Sequence, residues 1–207
     1  MHKSNLLHPE FWRIAGPDGT VTEGADQDWF PTLWQQRAGC GPTAAAVTFA
    51  YLARSRPELA PLCPGDVSSR AAFTEHMCRV WEHVTPSMHG LNRPEMMRDG
   101  MVSYAKARGV PLSVSMLVIP AARTKRPSYE AVSRFIHSSL AQECPVPFLN
   151  LHHGKVKELD WWHWVTIAGL DGARALILDS GKALEIDLAL WLETTRRRGG
   201  FVSAAVP

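Results

Sequence analysis

The chain has no apolar run long enough to cross a membrane as a helix, no internal repeat and no low-complexity stretch, so neither a membrane-spanning helix nor a solenoid plan is expected. Its N-terminus, Met1-His2-Lys3-Ser4-Asn5-Leu6-Leu7-His8-Pro9, lacks both a long apolar core and the small residues of a cleavage site, so no secretory signal is expected there. Cysteine is scarce: four residues, at 40, 63, 78 and 144, with no CxxC pair among them. Without export the expected state is reduced thiols in the cytoplasm, with a disulfide between some two of the four left open. An excess of charge of one sign is also missing, since Lys and Arg number 22 against 20 Asp and Glu, for a net charge of +2. The one basic run, Arg196-Arg197-Arg198 before Gly199-Gly200, fits the end of a helix, where it opposes the dipole, and no nucleic-acid role is assigned to it. His152-His153, with His163 ten residues on, match no zinc signature. Neighbours on a strand point to opposite faces, so neither a metal nor a cofactor is expected.

The 207 residues, 45% hydrophobic and 20% charged, fit one globular domain spanning 1–207 with a real core. Apolar periodicity predicts helices over 43–54, 66–84, 94–108, 127–142 and 187–195. Strands are predicted over 112–119, 145–151, 159–169, 174–179 and 201–206, with Asp171-Gly172 as a hairpin turn between two of them. The prolines at 145 and 147 favour a sheet edge for their strand. Cys78 reads as a core thiol and Cys63, beside Pro64-Gly65, as a loop thiol. The expected class is therefore α+β: helices over about 34–142, packed on a mainly antiparallel sheet over about 143–207.

The most informative stretch is Trp34-Gln35-Gln36-Arg37-Ala38-Gly39-Cys40-Gly41-Pro42-Thr43. It places a thiol on a glycine turn at the mouth of an apolar helix, where free N–H groups and the helix dipole favour thiolate over thiol. Gly39 and Gly41 let the backbone turn and approach a substrate carbonyl, and Pro42 suits a first helical turn because its missing N–H costs nothing there. A nucleophilic thiolate needs a base, and the base needs a group to orient it. His163, near the start of the 159–169 segment, shares a strand face with Val165 and Ile167. Asp179, at the end of the returning strand, comes alongside the ring in such a hairpin, fixing its tautomer and stabilising imidazolium.

The order Gln, Cys, His, Asp, with the cysteine opening an N-terminal helix and the histidine on a later strand, resembles the papain-like cysteine peptidase superfamily. Gly39-Cys40-Gly41-Pro42-Thr43-Ala44-Ala45 and Asp160-Trp161-Trp162-His163-Trp164-Val165-Thr166-Ile167 are similar to its branch of bacteriocin-leader (double-glycine) peptidases. The resemblance implies a papain-like fold with an N-terminal helical lobe carrying the Cys40 helix. It also implies Cys40 as nucleophile, His163 as general acid/base, Asp179 as orienting partner and a glutamine donating to the oxyanion. Members commonly place that glutamine about six residues before the cysteine, with oxyanion donors about 3 Å from the developing charge. Position 34 here is Trp, which leaves Gln35 and Gln36, with Gln36 favoured. Trp161, Trp162 and Trp164 are either sheet-covering aromatics or, in the family reading, a shield that keeps water from the His163 to Asp179 hydrogen bond.

The expected activity is hydrolysis of a peptide or amide bond through a thioester, with a peptide or amide as substrate. An acyltransferase using the same thioester and a non-catalytic peptide-binding module are the alternatives. That branch often works beside a transporter, so a separate transporter or carrier protein is a possible partner. Oligomeric state is not legible.

Overall fold

Residues 3–205, which the computed structural model describes, form six helices and nine strands in an α+β plan, helices packed on a sheet whose pairings are all antiparallel. In chain order these are β1 (Lys3–Asn5), β2 (Arg13–Ala15), β3 (Val21–Glu23), α1 (Leu33–Ala38), α2 (Cys40–Ser55), α3 (Arg70–Trp81) and α4 (Pro94–Ala107). Then follow β4 (Ser113–Ile119), α5 (Tyr129–Leu140), β5 (Val146–Asn150), β6 (His163–Asp171), β7 (Arg174–Asp179), β8 (Lys182–Asp187), α6 (Leu188–Thr194) and β9 (Gly199–Ala205). The sheet runs β4-β9-β5-β6-β7-β8, with β1 paired to the far end of β6 and a separate β2-β3 ribbon. Among the described residues no helix is long and apolar enough to cross a membrane. The predicted 201–206 strand is β9, and Val206 lies outside the described residues.

Several boundaries differ from the sequence reading for identifiable reasons. The 66–84 helix begins only at Arg70: Asp66 turns back to accept from the backbone N–H and hydroxyl of Ser68, and Ser69 caps the helix by accepting from the Ala72 N–H. The division into helices before 143 and strands after it is too simple, because β1 and β4 come from the earlier part and join the sheet. β5 is buried throughout and lies between β6 and β9, not at an edge. Pro147 is tolerated there because the ladder to β9 begins at Phe148, one residue beyond it. Cys63 lies in the loop after Leu62, as expected, but is buried there, and burial pushes its thiol up to about 11.

Helix α2 explains how Cys40 is held. Its small residues Ala44, Ala45, Ala46 and Ala50 are buried, which lets the helix lie close against β6 and β5. Gly39, the single residue between α1 and α2, has φ −83° and ψ −7°, a conformation open to any residue. Its glycine is needed for space. A Cβ at this position would collide with the Gln35 carbonyl oxygen and come within 2.7 Å of the Phe30 ring. Gly41 is similar, since a Cβ there would meet the Leu91 side chain at 2.7 Å and Trp164 at 3.3 Å. Gly39→Ala is therefore expected to destabilise the fold by about 2–3 kcal/mol through overpacking, read as a lowered midpoint in urea unfolding with unchanged slope.

The hairpin of β6 and β7 positions the other two residues. Its turn sets Asp171 against Arg174, Leu170 against Ala175 and Gly169 against Leu176. In that register Asp179 would oppose Thr166 and emerge on the face away from His163. A β-bulge at Ala168 shifts the pairing, so that Ile167 meets Ile177 and Thr166 meets Leu178. Continuing one step puts Asp179 across from Val165 and diagonal to His163, on the same face.

Candidate functional site

Cys40 is the first residue of α2, half-buried, with Thr43, Ala44 and Val47 of the same helix behind it. His163 is the first residue of β6 and Asp179 the last of β7. All three line one cavity between helix and sheet, together with Gln27. His163 Nε2 and Asp179 Oδ1 are 2.7 Å apart, and both side chains are nearly buried, at 12% and 9% exposure. Because Nε2 is engaged by Asp179, Nδ1 is the nitrogen left for Cys40, which lines the same cavity.

The electrostatics favour a charged ring. Burial opposes imidazolium, but hydrogen bonds to Asp179 and Cys40 and the attraction of both outweigh it, raising the His163 pKa to about 10. For Asp179 burial favours the neutral acid, and the His163 hydrogen bond and charge, with the Ser180 hydroxyl and Lys182, overcome it and hold the pKa below the usual carboxylate value. The Ser180 hydroxyl donates to Asp179 Oδ1 at 3.0 Å. Ser180 and Gly181 take φ of 48° and 73° in the two-residue turn to β8, so the carboxylate sits at a fixed corner.

The two glutamines taken from the sequence lie elsewhere. Gln35 completes the N-terminus of α1: its backbone N–H donates to the Thr32 hydroxyl oxygen at 3.3 Å, and its Oε1 accepts from that hydroxyl at 2.9 Å. The spacing Thr32-x-x-Gln35 is a capping-box signature, legible in the sequence. The Gln36 side-chain amide donates to the Phe30 carbonyl at 2.8 Å, and Gln36 is not among the residues that line the cavity. The amide that lines the cavity with Cys40 and His163 is Gln27, thirteen residues before the cysteine. Its Nε2 donates to the Gln36 carbonyl at 2.7 Å, so Gln36 touches the site through its backbone. Gln27 Oε1 and Thr43 Oγ1 are buried there without a protein hydrogen-bond partner. No spacing rule in the sequence singles out Gln27; the Asp26 N-cap before it is the only local signal.

The three tryptophans divide. Trp164 is buried, donates from Nε1 to the Leu91 carbonyl at 2.5 Å and lines the cavity beside His163. Trp161 and Trp162 are largely exposed and border the groove that opens onto Cys40. His152 and His153 lie beyond β5, not on a strand, with rings stacked at 5.7 Å. His152 Nδ1 accepts from the Gly154 and Arg196 N–H groups. Among the described residues no three His, Cys, Asp or Glu side chains gather as metal ligands. All four cysteines are free. Burial raises the Cys78 and Cys144 thiols as well as Cys63, so these three are poor nucleophiles at neutral pH.

No protein-family model matches the chain, and no curated protein matches it in sequence. Among solved structures the chain is similar to the crystal structure of the Pseudomonas avirulence protein AvrPphB, at 12% identity and a TM-score of 0.38, over 79% of this chain and 91% of that one.

Proposed function

We propose that the chain is a single-domain, papain-like cysteine peptidase acting through Cys40, His163 and Asp179. The observation that carries the proposal is the 2.7 Å His163 Nε2 to Asp179 Oδ1 contact, which leaves the other ring nitrogen for a thiol at the start of a helix. Cys40 Sγ attacks the carbonyl carbon of a peptide bond, and the carbonyl oxygen takes the electron pair as an oxyanion. The Cys40 N–H and the second hydrogen of Gln27 Nε2 donate to that oxygen, a role that falls to Gln27 because it lines the cavity with Cys40 and His163 and neither Gln35 nor Gln36 does.

Collapse of the intermediate breaks the C–N bond, and His163 Nδ1 gives its proton to the leaving amine. What remains is a thioester on Cys40. Acylation removes the sulfur's negative charge, one of the influences that raise the His163 pKa, so the ring falls toward a range where it can accept a proton from water. Water attacks the thioester carbon, Nδ1 takes the proton, and the C–S bond breaks to release the acid and restore the starting pair.

The test is digestion of a mixed peptide pool followed by mass spectrometry, together with capture of the Cys40 thioester after rapid acid quench. Cleaved peptides carrying water at the new carboxyl end identify hydrolysis, and amine adducts identify acyl transfer. Gln27→Ala is expected to lower kcat by roughly 10²-fold with little change in KM, as for removal of one oxyanion donor. Gln36→Ala, which leaves the carbonyl that tethers Gln27 in place, is expected to cost far less in the same assay. Equal losses from the two variants would put the donor at Gln36 or reduce both to scaffolding.

A further inference from the structure

We propose that the groove beyond Trp162 receives an acidic segment of the substrate peptide, a reading that rests on the peptidase assignment and names its substrate class. The groove has a volume of about 620 Å³, in the range of sites that hold ligands, and is bordered by Arg93, Arg196, Arg197 and Arg198. Glu95 pairs with Arg198 at 3.8 Å, and among the described residues no carboxylate pairs with Arg93, Arg196 or Arg197. Arginine presents a planar fork that matches a carboxylate in two parallel hydrogen bonds. Three guanidinium groups without a carboxylate partner at one concavity, one of them stacked on Trp162, form a receptor for such groups.

Trp162 joins this groove to the reactive sulfur. It borders both the basic groove and the groove that contains Cys40 and His163. Its φ of +58° is unusual for a bulky residue, and the conformation is held by the indole Nε1 donating to the His89 carbonyl at 3.0 Å and by the Arg197 guanidinium 5.3 Å over the ring. The wall between the grooves is thus a fixed feature of the site. Trp162 directly precedes His163 and lines both grooves, so an extended peptide that runs past its ring from the Cys40 groove enters the arginine groove.

The charges on the other side of Trp162 have the opposite sign. Asp26, Asp28 and Asp160 border the groove around Cys40, with Arg37 as the one arginine among them. A uniformly acidic peptide is repelled there, and a uniformly basic one is repelled from the arginine groove. The complementary substrate carries its Asp and Glu residues on one side of the bond to be cut, and not on both.

The experiment follows alkylation of Cys40 by iodoacetamide, by mass spectrometry, in the presence of short peptides with an Ala/Gly half and an Asp/Glu half, made in both orders. Matching peptides carry Lys in place of Asp and Glu. The expected result is that one acidic order slows alkylation about tenfold more than its lysine counterpart at the same concentration, and that the ratio collapses in Arg93→Glu/Arg196→Glu. Both positions are exposed, and an intermediate ratio in Arg196→Gln separates lost charge from altered folding. Equal protection by acidic and basic peptides, or a preference that survives the double reversal, overturns the inference while fast alkylation of Cys40 leaves the peptidase reading standing. Competition by oligothymidylate where acidic peptides fail also overturns it, in favour of a nucleic-acid groove. Alkylation of Cys40 no faster than Cys63 or Cys78 without any peptide overturns the peptidase reading itself.

Discussion

Cys40→Ala is expected to reduce peptide turnover by roughly 10⁶-fold in kcat, the loss typical of removing the attacking atom from a triad. The folded protein should survive this change almost intact. Cys40 is half-buried at the first position of α2, where alanine is an excellent helix former, and only one sulfur atom is removed. A shift in melting temperature of no more than about 4 °C is expected, corresponding to roughly 1 kcal/mol for a chain of this size. The neighbouring Gly39→Ala supplies the contrast, since its added methyl has no room against Phe30 and the Gln35 carbonyl. Activity lost in Cys40→Ala together with a fall in stability as large as that of Gly39→Ala would mean that the thiol supports the fold and not the chemistry.

His163→Ala is expected to remove turnover to a similar degree and also to slow iodoacetamide labelling of Cys40 at neutral pH toward the rates of Cys63 and Cys78. In the proposed mechanism the imidazolium both stabilises the thiolate and carries the proton to the leaving amine. The protonated ring is needed for that second task, and its pKa is raised to about 10, so the alkaline limb of kcat/KM should fall only as pH approaches that value. Asp179→Asn removes one of the charges that raise it, and the limb should then move to lower pH while activity is reduced less than in His163→Ala. An alkaline limb that stays where it was in Asp179→Asn would show that the carboxylate does not act on the ring, whatever its distance.

The parts of this site written in local chemistry were legible in the sequence. A cysteine flanked by glycines and followed by proline and an alanine-rich helix marks the mouth of a closely packed helix, and the structure puts Cys40 there. The Asp171-Gly172 turn, with apolar alternation on both sides, announces the hairpin that bears His163 and Asp179. Gln27 was not legible, because its place beside Cys40 depends on a short turn folding back over the end of α1, and tertiary reach leaves no mark in spacing. Gln35 and Gln36 attracted the role by nearness in sequence, although Thr32-x-x-Gln35 already carried the signature of a helix cap.

Other misses have physical causes of the same kind. β8 was absent from the sequence reading, yet Ser180-Gly181 is a turn pair and Lys182-Ala183-Leu184-Glu185-Ile186-Asp187 alternates polar and apolar up to the α6 cap. The central position of β5 could not be read from its own prolines, since whether a missing N–H matters depends on where a neighbouring ladder begins. Gly39 was expected for its backbone freedom, and the structure assigns it to close packing. The bulge at Ala168 was invisible, because an extra residue in a ladder looks like any other alanine.

That bulge constrains how the hairpin can change length. Side chains on a strand alternate, so one residue added to or lost from the arm between the turn and Asp179 sends the carboxylate out through the opposite surface of the sheet, even if every ladder bond reforms. Two residues restore the face but carry the carboxylate about 7 Å along the strand. An indel in this arm is therefore expected to uncouple the carboxylate from the imidazole unless a compensating slip elsewhere restores the register.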